Sequence, residues 1–482
     1  MEMKVTAMIA DSGDCVGPDD RLANRRRKLP VSTPIKLQRK RLKEVHDRFQ
    51  YWFSEHYDLA ALDVSLAVAA VERLDGDPLW LMLVAGSSTA KTETVSQFKG
   101  CPNVHEISTL TSEAALLSAS KKDDHDHGAT GGLLPQIGDR GPLIIKDFTS
   151  ILSLHPSTRG PLLAALREIY DGYWDRYKGS DGGSSLSWAG RVTLLAAVTT
   201  AWDKHHAVIA EMGDRFVLLR IDSRDSDSRK AFGLKAMDNI SSEAKYRREL
   251  RQLVSGIVAE VAPKEAPELT EGERLRIFNA ANLASYARTA VDTDHKGDVI
   301  DSHAPEGPAR LTKQLTQLFR GLYVVGVDRS RALQLVIRCA RDCLPPLRLQ
   351  VLEYLAENPN SLTSGVRKGI QKPHATVDRV IQALVALGLV EQDEQSGTSE
   401  RVKTVGNNGK SWLFSVADNV DVSDLAVPER RRSGNNSGPV PPANAPGMTG
   451  EACSFSSHSS TVKPGAVVTL GNAHGGKVPA EF

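Results

Sequence analysis

Lys91 and Thr92 close a run of small residues, Ala85, Gly86, Ser87, Ser88, Thr89 and Ala90. An apolar stretch at 79–85 leads into the run, and helical spacing at Val95 and Phe98 follows it. A strand, a tight small-residue turn, then lysine and threonine at a helix start make a cradle for an anion. The turn's backbone N–H groups point inward, and the helix N-terminus adds partial positive charge. Lys91 can reach the β- and γ-phosphates of a nucleoside triphosphate, ATP for example, and Thr92 can place its hydroxyl on Mg²⁺. The general P-loop pattern has glycine where this chain has Ala85 and Ala90. Small side chains are kept, but free access to positive φ is lost.

Such a cradle needs an acid at the end of another strand. Leu143, Ile144 and Ile145 lead into Lys146 and Asp147. The Asp147 carboxylate can hold Mg²⁺ or polarise an attacking water. Alone, Asp147 reads as an ordinary turn residue; its pairing with Lys91 and Thr92 favours the functional reading. The two segments are expected on neighbouring strands, with the Lys91 side chain in a common cleft.

The elements that must hold these groups follow from a pass along the chain. At 482 residues there is room for two or three domains. Residues 1–35 read as a loose basic arm with Arg25, Arg26, Arg27 and Lys28, followed by Lys36, Arg39, Lys40, Arg41 and Lys43. Such tracts are solvated or touch phosphate backbones. Residues 36–77 read as helices with Phe49, Trp52, Phe53, Tyr57 and Leu59 on the apolar face. From 78 to 225, apolar runs at 79–85, 142–145, 192–198 and 216–221 alternate with helices, which predicts a parallel α/β sheet. The polar insert at 121–132, with Asp123, His125 and His127, has no metal-ligand spacing and reads as a loop. Helical periodicity dominates 226–343, with helices expected at 246–261, 271–291 and 310–325. Residues 419–482, rich in Pro, Gly, Ser and Asn, read as a disordered tail.

The net charge of +1 leaves no global basic field, so nucleic-acid contact rests on local patches. Five cysteines, Cys15, Cys101, Cys339, Cys343 and Cys453, are scattered, which fits a reducing, cytoplasmic compartment. No apolar run of about 18 residues occurs, so no membrane span is expected. The N-terminus lacks the apolar segment of a secretory signal.

Residues 346–418 show a different pattern. A helix begins at Leu347, and a second runs over 363–370 with Thr363 as its N-cap. A turn at 371–374 and a third helix at 375–387, closed by Gly388, come next. Val390 starts a strand, a polar loop follows, and Trp412, Leu413 and Phe414 form the return strand. This helix-turn-helix with a wing resembles the winged-helix domains of many DNA-binding proteins. The resemblance makes Thr376, Arg379 and Gln382 the outward face of a recognition helix, with Lys372 and His374 at its entry. The wing offers Arg401, Lys403 and Lys410 to phosphates. The same fold also serves protein contacts.

Residues 85–222 resemble the AAA+ ATPase core, and within it the minichromosome maintenance (MCM) helicase branch. That branch reads Ser-Thr-Ala-Lys-Ser where this chain has Ser88, Thr89, Ala90, Lys91 and Thr92, so the alanine at 90 is the expected residue there. Gly131-Gly132-Leu133-Leu134, then Gly141 to Phe148, are similar to the branch's Gly-Gly-Ala-Leu and its strand ending in Asp-Glu-Phe. Residues 159–170 are similar to the helix that follows, and 171–187 to an inserted hairpin, with Arg176 and Lys178 as candidates to grip a nucleic-acid backbone. Residues 192–199 resemble the strand carrying the polar sensor, here Thr199. Asp214-Arg215-Phe216 resembles a Ser-Arg-Phe motif whose arginine reaches a neighbouring subunit's γ-phosphate.

The resemblance implies a P-loop parallel-sheet core, a helical lid and a winged helix. It implies ATP and Mg²⁺ as ligands, DNA as a partner, and a homo-oligomeric ring, a hexamer, or a filament with nucleotide between subunits. Lys91 and Thr92 would hold phosphate and metal, and Asp147 would orient water or metal. Thr199 would sense the γ-phosphate, and Arg215 would complete the site in trans. Arg310 or Lys313 would supply a second sensor from the lid. Two departures stand out. With the phenylalanines aligned, Lys146 replaces the metal-binding aspartate and Asp147 the longer glutamate. The large N-terminal DNA-binding domain of replicative MCM proteins is replaced by about 75 residues. Three functional readings follow: an ATP-driven DNA motor or helicase, an ATP-switched DNA-binding regulator or initiator, and a pseudo-ATPase scaffold.

Overall fold

The computed structural model describes residues 35–87, 89–118, 131–178, 184–205, 209, 215–222, 224–394 and 412–427. The expectations for the basic arm up to residue 34, Ser88, most of the 121–132 insert, Asp214, the wing residues Arg401, Lys403 and Lys410, and the tail from 428 lie outside them.

Among the described residues of the first half of the chain there are seven strands: β1 (Trp80–Val84), β2 (His105–Ile107), β3 (Arg140–Ile145), β4 (Tyr173–Lys178), β5 (Ser184–Ala189), β6 (Arg191–Val198) and β7 (Val217–Arg220). Five of them form one parallel sheet in the order β2-β3-β6-β1-β7. All five residues of β1 are buried, as expected for a strand covered on both faces. The four apolar runs of the sequence are β1, β3, β6 and β7. The fifth strand, β2, reads His-Glu-Ile and is half-buried, so neither length nor apolarity marks it. Strands β4 and β5 pair antiparallel as a separate hairpin, Tyr173 opposite Ala189.

Two helices precede β1: α1 (Ile35–Phe53) and α2 (Leu59–Val71). Residues 60–71 of α2 are buried on every side, which marks a helix inside the core rather than on its surface. It packs between β6 and the Ala309–Val324 helix. Contact there is close: a Cβ at Gly321 would stand 2.6 Å from the Ala67 carbonyl oxygen, so only glycine fits. Asp58 caps α2 and is also held by Arg338 at 2.6 Å.

Helices at Ser226–Asn239, Glu243–Ala259, Glu271–Ala287, Ala309–Val324 and Arg329–Asp342 follow the sheet. The helix expected to reach 291 stops at Ala287, and a short antiparallel hairpin follows, β8 (Val291–Thr293) with β9 (Val299–Ser302). The chain then forms helices Pro346–Glu357, Thr363–Ile370 and His374–Ala386 and an antiparallel pair, β10 (Val390–Glu394) with β11 (Trp412–Val416). Thr363 is the first helical residue; the N-cap is Leu362, which has no side-chain cap. Gly388, at φ +70°, follows the last helix, and Leu389 N–H donates to the Leu384 carbonyl at 2.9 Å. Packing continues past 418: Leu425 is fully buried, and Arg276 pairs with Asp424 at 3.1 Å.

Candidate functional site

The run between β1 and the Lys91–Ser96 helix turns on Ala90, whose φ is +61°. Alanine in this left-handed conformation costs roughly 1 kcal/mol. The backbone therefore takes the shape a glycine would favour, although the residue is not glycine. The Lys91 side chain is buried, and its ammonium donates to the Gly86 carbonyl at 2.6 Å. Thr89 Oγ1 donates to the same oxygen at 2.9 Å. Burial lowers the Lys91 pKa, and the Asp147 carboxylate opposes that shift. Lys91 and Asp147 thus feel one another across the sheet's carboxyl end, the side on which open α/β sheets bind ligands.

The expected adjacency of their strands does not hold. Strand β6 runs between β1 and β3, which brings Thr199 in between. Thr199 N–H donates to Thr149 Oγ1 at 3.0 Å, and the two hydroxyls lie 3.3 Å apart. Asp147 N-caps the Phe148–Leu152 helix, accepting from Thr149 N–H at 3.0 Å. Phe148 is fully buried, so no carboxylate follows Asp147 at the strand end.

Thr92 and Asp147 are exposed and line one open cleft of about 480 Å³. Glu93, Glu106, Lys146 and Arg247 line it too. Lys146 turns toward β2, with Nζ 3.4 Å from Glu106 Oε1. Its charge is balanced there by a carboxylate from the next strand. Glu93, the residue after Thr92, accepts two hydrogen bonds from Arg247, at 2.5 and 3.1 Å. This ties the cradle helix to the Glu243–Ala259 helix. Behind the cradle, Tyr57 Oη and Thr94 Oγ1 are 2.8 Å apart. Glu93, Arg247 and Tyr57 were not legible in this role from the sequence, because their partners are 37 to 154 residues away.

Mg²⁺ fits the donor set here. Among the described residues there is no cluster of three or more Asp, Glu, His or Cys side chains. A cation held mainly by substrate phosphates and waters, with one hydroxyl and one carboxylate from protein, is the coordination Mg²⁺ favours.

Arg215 and Arg310 are at the other end of the sheet. Arg215 precedes β7, pairs with Asp171 at 2.7 Å and lies 5.7 Å from the centre of the Tyr170 ring. The Gln314 side chain donates to the Arg215 carbonyl. Arg310 pairs with Glu306 at 2.8 Å, and Lys313 with Asp77, just before β1, at 3.1 Å. The Tyr170 hydroxyl, whose pKa burial raises, is within electrostatic range of both Arg215 and Arg310. Arg310 is therefore not part of its own chain's Lys91 cradle. It sits beyond the amino ends of the strands, with Arg215.

In the C-terminal module, Lys372, His374, Thr376 and Gln382 are exposed. Gln382 is turned to Asp378 at 3.0 Å. Arg379 is engaged by the β8–β9 hairpin, donating to the Lys296 carbonyl. In the β4–β5 hairpin, Arg176 pairs with Glu113 at 2.9 Å. Tyr173 and Tyr177 stand exposed on one face of β4. Cys101, Cys339 and Cys343 are buried thiols that form no disulfide. No helix among the described residues is long and apolar enough to cross a membrane.

No protein-family model matches the chain, and no curated protein matches it. Among solved structures it is similar to a full-length MCM homolog from Methanopyrus kandleri, at 17% identity and TM-score 0.33, over 66% of this chain and 64% of that one. The chain thus spans less than two thirds of that protein's length. It is also similar to Cch of SCCmec type IV, described as an active helicase, at 11% identity and TM-score 0.28, over 80% and 71% of the two chains. A third is the apo C-terminal region of NrS-1, at 9% identity and TM-score 0.21, over 80% and 79%.

Proposed function

We propose that the chain binds a nucleoside triphosphate, ATP, at the carboxyl end of the sheet and uses it to act on DNA as an AAA+ protein. The observation that carries this reading is that Thr92 and Asp147, at strand ends separated by β6, line one cleft, with Lys91 outside its lining but within electrostatic range of Asp147. Lys91 exchanges the Gly86 carbonyl for the β- and γ-phosphates, and Thr92 and Asp147 hold the metal. Bound Mg²⁺ would neutralise charge on the β- and γ-phosphates. Thr199, held by Thr149, faces the terminal phosphate. With Lys146 where the branch has its metal-binding aspartate, Asp147 is the one carboxylate at this strand end for both metal and water, and hydrolysis is expected to be slow.

Arg215 and Arg310 cannot serve their own chain's cradle from the opposite sheet end. In a homo-oligomeric ring, a hexamer, they serve the next subunit's. The 346–416 module is a winged helix whose exposed Lys372, His374 and Thr376 meet DNA, and Tyr173 and Tyr177 offer stacking faces to bases. A helicase-like motor is the reading preferred here. An ATP-switched regulator that uses the exposed helix at 374–386 is the second reading.

Calorimetric titration with ATP–Mg²⁺ tests the site. The wild-type chain binds, and Lys91→Ala weakens binding at least about 100-fold, near 2.7 kcal/mol. Tight binding retained by Lys91→Ala would overturn the assignment. Forked-DNA unwinding separates motor from regulator.

A further inference from the structure

Hairpin β8–β9 sits on the helix that would read DNA. Residues 291–303 carry four aspartates, Asp292, Asp294, Asp298 and Asp301, against one lysine, Lys296. Asp294 shapes the tip, accepting from Lys296 N–H at 2.8 Å and Asp298 N–H at 2.9 Å. The tip then meets Arg379 three ways. The guanidinium donates to the Lys296 carbonyl. Its Nε is 3.7 Å from Asp298 Oδ1. A Cβ at Gly297, whose φ is +83°, would come within 3.1 Å of Arg379 Cζ, so the tip lies flat on the guanidinium. Two turns along the helix, Ser302 Oγ donates to the Ala386 carbonyl at 3.0 Å.

We propose that this acidic hairpin is an internal occupant of the nucleic-acid face of the His374–Ala386 helix, and that a DNA phosphate displaces it to reach Arg379. The inference rests on the reading of the 346–416 module as DNA-binding. A carbonyl and a carboxylate on one guanidinium present the same acceptors as a phosphodiester. The contact is built to be exchanged. The Arg379 side chain is 48% exposed and Asp298 61%, and ion pairs this open are weak and salt-screened. Lys372, His374 and Thr376 stay exposed at the helix entry, so a duplex can be engaged there before the hairpin yields. The hairpin thereby sets a threshold. Contacts at the helix entry alone leave Arg379 covered, and only a duplex seated along the helix pulls it free.

The test is fluorescence anisotropy of the full chain with a labelled random-sequence duplex at fixed salt. Asp298→Asn is expected to tighten binding roughly three- to ten-fold. Asp301→Asn, the same charge change in the same hairpin but away from Arg379, is expected to give less than half that gain. Arg379→Ala weakens binding, and in the Arg379→Ala/Asp298→Asn double variant the gain disappears. Equal gains from Asp298→Asn and Asp301→Asn, or a gain that survives in the double variant, would overturn the cover while leaving the DNA reading intact. Absence of duplex binding by the wild type and every variant would remove that reading, and the cover with it. Thermal melts of each variant separate either result from misfolding.

Discussion

The two ends of the parallel sheet handle charge in opposite ways. At the amino end, three strands are preceded or opened by an arginine: Arg140 on β3, Arg191 on β6 and Arg215 before β7. Arg140 and Arg191 converge on Glu72 at the end of α2, at 2.8 and 3.4 Å, and also bond nearby backbone carbonyls. Glu72 is almost fully enclosed, whereas Asp171, the carboxylate paired with Arg215, is half exposed. The first two arginines are structural clasps. The third is held by a partner that solvent can reach. At the carboxyl end, Thr92 and Asp147 open into a cleft, and Lys91 donates to the Gly86 carbonyl of its own loop. One end is closed by mutual neutralisation; the other keeps cation and acid available for a ligand.

The largest effect expected from breaking this contrast is at Arg215. Arg215→Ala should lower ATP turnover by about a thousand-fold or more, the scale of a trans arginine, with ATP affinity within about three-fold of wild type. Mixing Arg215→Ala with Lys91→Ala subunits should restore part of the turnover, since some interfaces then hold both intact groups. Steady-state turnover of the mixture checks this, and no recovery at any ratio would place Arg215 outside the site. Next in size is Glu72→Ala, expected to cost about 3 kcal/mol in denaturant unfolding. That is the lower end for breaking a buried pair, because the carbonyls still hold both guanidiniums. The same change at Asp171 should cost under about 1 kcal/mol.

Ala90→Gly should stabilise the chain by roughly 1 kcal/mol or slightly less, since it removes left-handed strain but adds unfolded-state freedom. Melting temperature reads this directly. A loss of stability would mean that the left-handed turn carries no strain. The smallest effect is a pH slope. Burial raises the Glu72 pKa above its ordinary 4.5 despite two arginines. The folded state therefore binds this proton more tightly than the unfolded state. Its contribution is fully present below about 4.5 and is lost as pH rises through the folded value. Glu72→Gln should remove that slope from unfolding curves taken between about pH 4 and 7.

Much of the sheet was legible because its strands are apolar runs bounded by turns, and the cradle because its residues are contiguous. Strand β2 escaped because three half-buried residues at a sheet edge have no periodic signature. Hairpin β8–β9 escaped because its tip is polar and the helix before it masks its start. The partner of Lys146 escaped for a related reason. The apolar run of β3 leading into Lys146 was visible, but the carboxylate that receives its charge sits on β2, forty residues earlier.

Sequence alone determined the local pieces: the Lys91–Thr92 turn, the apolar strands, the three helices after 346 and the acid at 147. Each depends on neighbours within a few residues, where periodicity and turn chemistry act. Tertiary structure decided which pieces meet. Strand order put β6 and Thr199 between Lys91 and Asp147, and the path of the Ala309–Val324 helix carried Arg310 to the Arg215 end. A hairpin 83 residues away took hold of Arg379. Those placements follow from which faces bury together across the whole chain, and no local pattern encodes that choice.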